Sequence, residues 1–377
     1  MAGIYIHIPF CRKKCHYCNF HFTTSLYYKD DLVKALANEI SLQKDYLQNE
    51  KVETIYFGGG TPSILESSEI DSILQIIFKT FKTSSNLEIT LEANPDDISA
   101  SKLNEWKLIG VNRFSLGVQS FLDKDLLWMN GNHNAKQSIQ SIQQIQKAGF
   151  LNFTIDLIYG TPHLSNDEWK TNIQIAVENN IPHISAYALT VEPNTALDSF
   201  IKKKKINAIN AEKQATQFEL LMDALSQQQY EHYEISNFAK PGFRSKHNSS
   251  YWKSQSYLGI GPSAHSYNFK SRQWNIANNA LYIKSIEQNI VPFEIENLTT
   301  IQKINEYLMI SLRTIEGCSL QFIENKFGEN FLSEIKMKTV ELSKNQLIEI
   351  RDNHIVLTTK GKLLADKISV DLFFEEN

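Results

Sequence analysis

The sequence has little cysteine outside one short segment, no long apolar run and no excess of charge of either sign. Only four of its 377 residues are cysteine, and three of those are neighbours. That excludes a disulfide framework and fits a reducing compartment in which thiolates stay available for metal. No apolar run approaches the ~20 residues needed to span a bilayer, so stable membrane insertion is not expected. Met1 leads into a strand-like segment without the pattern of a secretory signal or lipidation motif, and a cytoplasmic location is the expectation. Lys plus Arg number 38 against 42 Asp plus Glu, a net charge of −4, which gives no general pull toward nucleic acid or anionic membrane. The one dense basic run, Lys202 to Lys205, suits a solvated helix end or turn. No internal repeat or low-complexity stretch stands out.

What the sequence does have is chemistry concentrated in one place. Cys11-Arg12-Lys13-Lys14-Cys15-His16-Tyr17-Cys18 puts three thiols within one short segment, just past a strand-like run from Ile4 to Ile8. Four-iron clusters normally take four thiolates. Three therefore suggest a cubane whose last iron is left for a small molecule. A structural zinc site, completed by His16 or His21, is the alternative. Zinc sites, however, usually pair their cysteines across two knuckles far apart in sequence.

The length permits two or three domains, one of them a large barrel, and a hydrophobic fraction of 42% supports real cores. Between residues 3 and 190, apolar strands at 3–8, 52–57, 87–93, 111–118, 152–158 and 183–189 alternate with amphipathic helices. The helices are expected near 28–46, 66–80, 100–108, 134–148, 167–180 and 211–228. Ser165, followed three residues on by Glu168, marks one helix start as a capping box. Six successive βα units imply a parallel sheet with right-handed crossovers, open or incompletely closed into a barrel. The unusual residues all fall at carboxyl ends of strands. The cysteines follow the first, Gly58-Gly59-Gly60-Thr61-Pro62 the second, and Glu92-Ala93-Asn94-Pro95 the third. Gly117-Val118-Gln119 ends the fourth, and Asp156 with Tyr159-Gly160-Thr161-Pro162 ends the fifth. That is the rim where α/β folds place their chemistry.

From about 299 the rhythm changes. Helices at 299–313, 319–326 and 330–343 precede short strands at 346–350 and 354–358, a turn at Asp352-Asn353-His354 and a last helix from Thr359. This reads as a winged-helix-like α+β module. Residues 299–377 carry 10 Lys plus Arg against 12 Asp plus Glu, so the phosphate-neutralising face of a DNA-binding module is missing. A cap or docking role is expected, and no nucleic-acid partner. The expected domains are 1–235, a connecting segment 236–298, and 299–377.

The three-then-two cysteine spacing resembles that of the radical S-adenosylmethionine (SAM) enzymes, whose SAM carries an amino and a carboxylate group, a sulfonium and a ribose diol. A glycine run beside a cluster lets backbone approach the amino group without a Cβ in the way, and Glu92, Gln119 and Asp156 can hold the diol. The three-then-two cysteine spacing, Tyr5-Ile6-His7-Ile8-Pro9-Phe10-Cys11, the glycine turn, Glu92, Gln119 and Asp156-Leu157-Ile158-Tyr159-Gly160 together resemble the HemN/HemW branch of the radical SAM family. The resemblance covers nearly the whole chain. It implies a partial (β/α)6 radical SAM barrel with a C-terminal winged-helix-like α+β domain, a 4Fe–4S cluster on Cys11, Cys15 and Cys18, and SAM on its open iron. Positions matching SAM contacts are Tyr5, Gly59, Gly60, Thr61, Glu92, Gln119 and Asp156. One departure is Gly131, where relatives place an arginine that pairs with the SAM carboxylate.

Within this branch, the decarboxylases of coproporphyrinogen III have a fourth cysteine two residues after the third and a longer N-terminal extension. Here Phe20 occupies that cysteine position and the chain starts ten residues before Cys11. Both features favour the haem-carrying side of the branch. So does His247-Asn248-Ser249-Ser250-Tyr251-Trp252, which matches its His-Asn-x-x-Tyr-Trp motif. Histidine and tyrosine both ligate haem iron, and tryptophan can stack on a porphyrin. The expectation is a haem chaperone with His247 as haem ligand, an acceptor protein for the haem, and an electron donor such as flavodoxin or ferredoxin. Oxygen-independent coproporphyrinogen III oxidation is the alternative. His265 is a weaker site candidate, and Cys318, followed by Ser319, is read as a lone buried thiol.

Overall fold

The computed structural model describes residues 2–376, so the expected limits at 1 and 377 fall just outside it. Six parallel strands, β1 (Ala2–Ile8), β2 (Val52–Gly59), β3 (Thr83–Ala93), β4 (Arg113–Gln119), β5 (Phe153–Tyr159) and β6 (His183–Ala188), pair in sequence order. Helices α1 (Lys29–Leu42), α2 (Ser67–Thr80), α3 (Ala100–Leu108), α4 (Asp123–Trp128), α5 (Ala135–Lys147), α6 (Asn166–Glu178), α7 (Ala196–Lys202) and α8 (Ala211–Gln227) fill the crossovers and follow β6. The short α4 and α7 are additions to the elements legible in the sequence. Sequence-marked helix starts are realised as hydrogen bonds: the Ser165 side chain accepts from Glu168 N–H, and the Glu168 carboxylate accepts from Ser165 N–H.

The strands alternate in a way that the two faces explain. Ile4, Ile6, Ile8, Ile55, Phe57, Leu91, Phe114, Leu116, Phe153, Ile155 and Ile184 point outward and are buried under the helices. The residues between them, Tyr5, His7, Thr54, Tyr56, Thr90, Glu92, Arg113, Ser115, Asp156 and His183, face a polar lumen. The parallel strands therefore read as period two, although both faces are covered.

Residues 236–298, expected as a connection, add five strands to this sheet, and with β7 (Glu231–Glu234) just before them the sheet reaches twelve. On the β6 side β8 (Asn237–Ala239) pairs antiparallel, and β7 lies outside it. On the β1 side β9 (Ser256–Ile260) pairs parallel, followed by β10 (His265–Tyr267), β11 (Ser271–Asn275) and β12 (Phe293–Asn297). Helices α9 (Lys246–Trp252) and α10 (Asn279–Glu287) lie between them. Buried Glu39 of α1 clamps this extension, accepting from Tyr282 hydroxyl, Asn275 amide and Gly261 N–H.

The C-terminal module has α11 (Thr300–Ser311), β13 (Cys318–Ser319), α12 (Leu320–Phe327), α13 (Glu329–Lys344), the hairpin β14 (Ile348–Arg351) and β15 (His354–Leu357), and the final helices α14 (Thr359–Lys362) and α15 (Ala365–Leu372). Ile304, Leu308, Ile323, Ile335, Ile355 and Leu372 form its own core, and Cys318 is buried there. Backbone bonds join it to the barrel: Ile235 N–H to Arg313 carbonyl at 3.1 Å and Ile315 N–H to Tyr233 carbonyl at 3.0 Å.

Candidate functional site

The cysteine segment forms a loop at the carboxyl end of β1, and all three thiols are free and half-buried. Its backbone is tied down on two sides. Cys11 N–H donates to Thr23 carbonyl at 3.0 Å, and Thr61 hydroxyl donates to Cys11 Sγ at 3.8 Å. The segment around Gly131 holds the other side, through His16 N–H to Met129 carbonyl, His16 Nδ1 against Trp128 carbonyl, and Asn130 amide to Lys14 carbonyl at 2.8 Å. Gly131 thus sits beside the loop, with Lys13 reaching its carbonyl at 3.4 Å. Burial pushes the Cys11 thiol up to about 12 and raises Cys15 and Cys18 as well.

The glycine turn after β2 is laced to this loop. Gly60 N–H donates to Ile8 carbonyl at 2.9 Å and Thr61 N–H to Phe10 carbonyl at 2.7 Å. A Cβ on Gly60 would stand 2.5 Å from the Phe10 carbonyl oxygen, so this approach needs glycine. Gly59 N–H donates to one Glu92 oxygen at 3.1 Å, and Tyr56 hydroxyl donates to the other at 2.8 Å. Gln119 ends β4 with φ +62°, its amide lying over Gly117. Asp156 on β5 has the Ser185 and Ser115 side chains near its carboxyl, which oppose part of the effect of its burial. Burial lifts Glu92 to about 7, with repulsion from Asp156 adding to it, and lifts Asp156 to about 6. A cationic ligand in this lumen would return both to carboxylates.

Deeper in the lumen, His247 of α9 plugs the amino-terminal end of the barrel. It is 1% exposed. Its Nδ1 is hydrogen-bonded to Thr54 hydroxyl and its Nε2 to Tyr251 hydroxyl, each at 2.8 Å. The ring stacks on Tyr56 at 4.9 Å and lies against Gly3, where a Cβ would come within 3.3 Å of it. Glu88 receives the N–H groups of Lys246 and His247. Burial lowers the imidazole to about 3, so it is neutral. Haem coordination by His247 would require releasing one of its two hydroxyl partners. Arg113 is also fully buried here, its guanidinium nitrogens and the neighbouring Thr90 hydroxyl without a hydrogen-bond partner among the described residues.

Tyr5 and Asp156 stand mid-strand in the lumen, and above them the rim gathers Cys11, Cys15, Cys18, Gly59, Gly60, Thr61, Glu92 and Gln119 at the carboxyl ends of β1–β4. It does not gather His247, which lies at the opposite end of the strands, nor His265, exposed on β10 beside Trp274. His16 and His21, the alternative zinc ligands, are turned to Trp128 carbonyl and Asn279. Among the described residues no three His, Cys, Asp or Glu groups converge as ligands of a single ion. A cubane spreads its thiolates over separate irons, so spaced thiols beside a glycine turn fit that group better than one zinc. The lumen residues Arg113, Glu88 and His183 were not singled out from sequence. Their only signal was the regular polar residue between apolar ones on β3, β4 and β6.

Residues 5–176 match the Radical SAM superfamily and residues 298–364 match the HemN C-terminal domain. A curated protein from Bacillus subtilis named "Heme chaperone HemW" is 34% identical over 372 residues, covering 98% of both chains. Its Mycobacterium tuberculosis counterpart of the same name is 30% identical over 97% of this chain and 93% of its own. Among solved structures, coproporphyrinogen III oxidase (HemN) from Escherichia coli superposes with a TM-score of 0.85 over 99% of this chain and 90% of that one. At 22% identity that likeness speaks for the fold.

Proposed function

The chain belongs to the HemW family of the radical SAM superfamily, and on that premise we propose that it carries haem to an acceptor protein while holding a SAM-chelated 4Fe–4S cluster. The observation that carries this reading is similarity along the whole chain, C-terminal module included, to curated haem chaperones. The rim supports the cluster half of it. Cys11, Cys15 and Cys18 would hold three irons. Gly59, Gly60 and Thr61 would present backbone to the methionine end of SAM, with Tyr5, Glu92, Gln119 and Asp156 along the rest of the ligand. When bound, such a cluster supplies one-electron chemistry, and a flavodoxin or ferredoxin would be its electron source. The chain's own part is to keep water out and hold the ligand between two buried acids. No helix among the described residues is long and apolar enough to cross a membrane.

For the haem half, His247 is the proposed ligand. Its neutral imidazole is the form that binds iron, and it reaches iron by giving up Thr54 or Tyr251. The test is a haem titration of the purified protein, following the Soret band for wild type and His247→Ala, with anaerobic reconstitution of wild type and Cys15→Ser. Stoichiometric haem binding that His247→Ala weakens or spectrally alters is expected, together with loss of cluster absorbance in Cys15→Ser. Carbon dioxide release from coproporphyrinogen III by a protein that binds no haem would favour the oxidase reading instead.

A further inference from the structure

At the amino ends of β1 and β2, across the sheet from the cysteines, a cavity of about 240 Å³ is lined by Thr54, Arg244, Lys246, Ser249, Ser250 and Lys253. Three cations line it against one carboxylate, Glu53, in a chain whose net charge is −4; of its hydroxyls Ser250 donates to His247 carbonyl at 2.7 Å and Thr54 bonds the His247 ring, which leaves that of Ser249 for a ligand. Arg244 is fixed by Glu231 at 3.0 Å and Glu316 at 2.7 Å. Lys246 donates to Asn86 carbonyl at 3.1 Å and makes no ion pair among the described residues, and neither does Lys253. Thr54, 2% exposed, forms part of the wall, and its hydroxyl is hydrogen-bonded to His247 Nδ1. The cavity therefore lies one hydroxyl away from the imidazole that plugs the barrel.

Ammonium groups beside a hydroxyl in a small hollow recognise a carboxylate or phosphate. The hollow is smaller than the ~300–1,000 Å³ that encloses a drug-sized ligand, so it suits the acidic edge of a larger molecule. Resting on the haem-carrier reading, we infer that this cavity takes the propionate edge of haem, so that haem docks at the amino-terminal mouth of the barrel and the cluster at the carboxyl-terminal mouth. Strand β1 separates the two mouths with seven residues, roughly 20 Å at about 3.3 Å per step. Haem docked there needs no thiol.

The test is a Soret titration of the full-length protein with haem and with haem dimethyl ester, whose propionates carry no charge. Three proteins are compared: wild type, the double variant Lys246→Glu/Lys253→Glu, and the triple variant Cys11→Ser/Cys15→Ser/Cys18→Ser. Both lysines are exposed, and circular dichroism would verify that the charge-reversed protein is folded. The expected result is haem affinity reduced about tenfold or more in the lysine variant, no such loss with the dimethyl ester, and unchanged haem affinity in the cysteine variant. Equal haem affinity in wild type and the lysine variant would overturn the site, as would loss of haem in the cysteine variant. Wild-type protein that binds no haem would overturn the carrier reading itself.

Discussion

The outer and inner faces of β1–β6 alternate residue by residue along the same strands yet follow opposite rules. Outside, Ile4, Ile6, Phe57, Phe114 and Phe153 are at most 1% exposed beneath the helices. Inside, Tyr5, Tyr56, Glu92, Arg113, Asp156 and His183 replace the branched apolar layers that ordinarily fill an α/β barrel. The lumen holds at least three buried or part-buried acids, Glu88, Glu92 and Asp156, with Arg113 as a cation among them. Such an interior gains little from apolar burial and must be satisfied by partners or ligand. The comparison teaches that stability and binding are divided between two faces of one sheet, and substitutions on the two faces should separate them.

The largest expected effect lies outside. Phe114→Ala removes a fully buried ring that packs on Trp106 and Phe150. It should cost about 3–5 kcal/mol in denaturant unfolding, while SAM affinity of the folded protein stays within twofold of wild type. A parallel loss of SAM affinity would collapse the distinction between the faces.

The next effect lies inside and depends on pH. Glu92 titrates at about 7 in the folded apoprotein because burial disfavours its charge, against 4.5 when exposed. Its folded pKa is raised, so the folded state holds the proton over that window. The contribution to stability is full below about 4.5 and is lost as pH rises through about 7. At ~1.4 kcal/mol per pK unit, Glu92 alone accounts for about 3 kcal/mol of decline, with Asp156 acting in the same direction up to about 6. Urea unfolding of apoprotein between pH 4 and pH 8 should show this fall, and Glu92→Gln should flatten it. A profile that Glu92→Gln leaves unchanged would place the titration elsewhere.

The same division governs what the sequence could disclose. The outer face repeats apolar residues strongly enough that the six parallel strands stand within a few residues of their expected places, as 52–57 against Val52–Gly59. The cysteines, the glycine turn and Glu92 drew notice in the sequence because each sits at or beside a strand end with a turn signal, whereas Asp156 stands mid-strand in β5. Short strands such as Asn237–Ala239 carry no period of their own and exist because a neighbour pairs with them. The burial of His247 was equally hidden. Its hydroxyl partner Thr54 lies 193 residues away, and nothing local distinguishes a plugged histidine from a solvated one.

The smallest effect tests an outer-face feature that was legible from sequence. Ser165 Oγ accepts from Glu168 N–H at 3.3 Å, and Glu168 accepts from Ser165 N–H at 2.9 Å while pairing with Lys124 at 2.5 Å. Ser165→Ala deletes one side of this box and leaves a first-turn N–H of α6 to water. A loss of about 1 kcal/mol is expected, read as a lower denaturation midpoint with an unchanged slope. Haem and SAM titrations of this variant should overlay those of wild type, because the box joins Ser165, Glu168 and Lys124, none of them a proposed ligand contact. If so small a change at the start of α6 altered either titration, the two faces would be coupled through the helix layer, and stability could no longer be assigned to one and binding to the other.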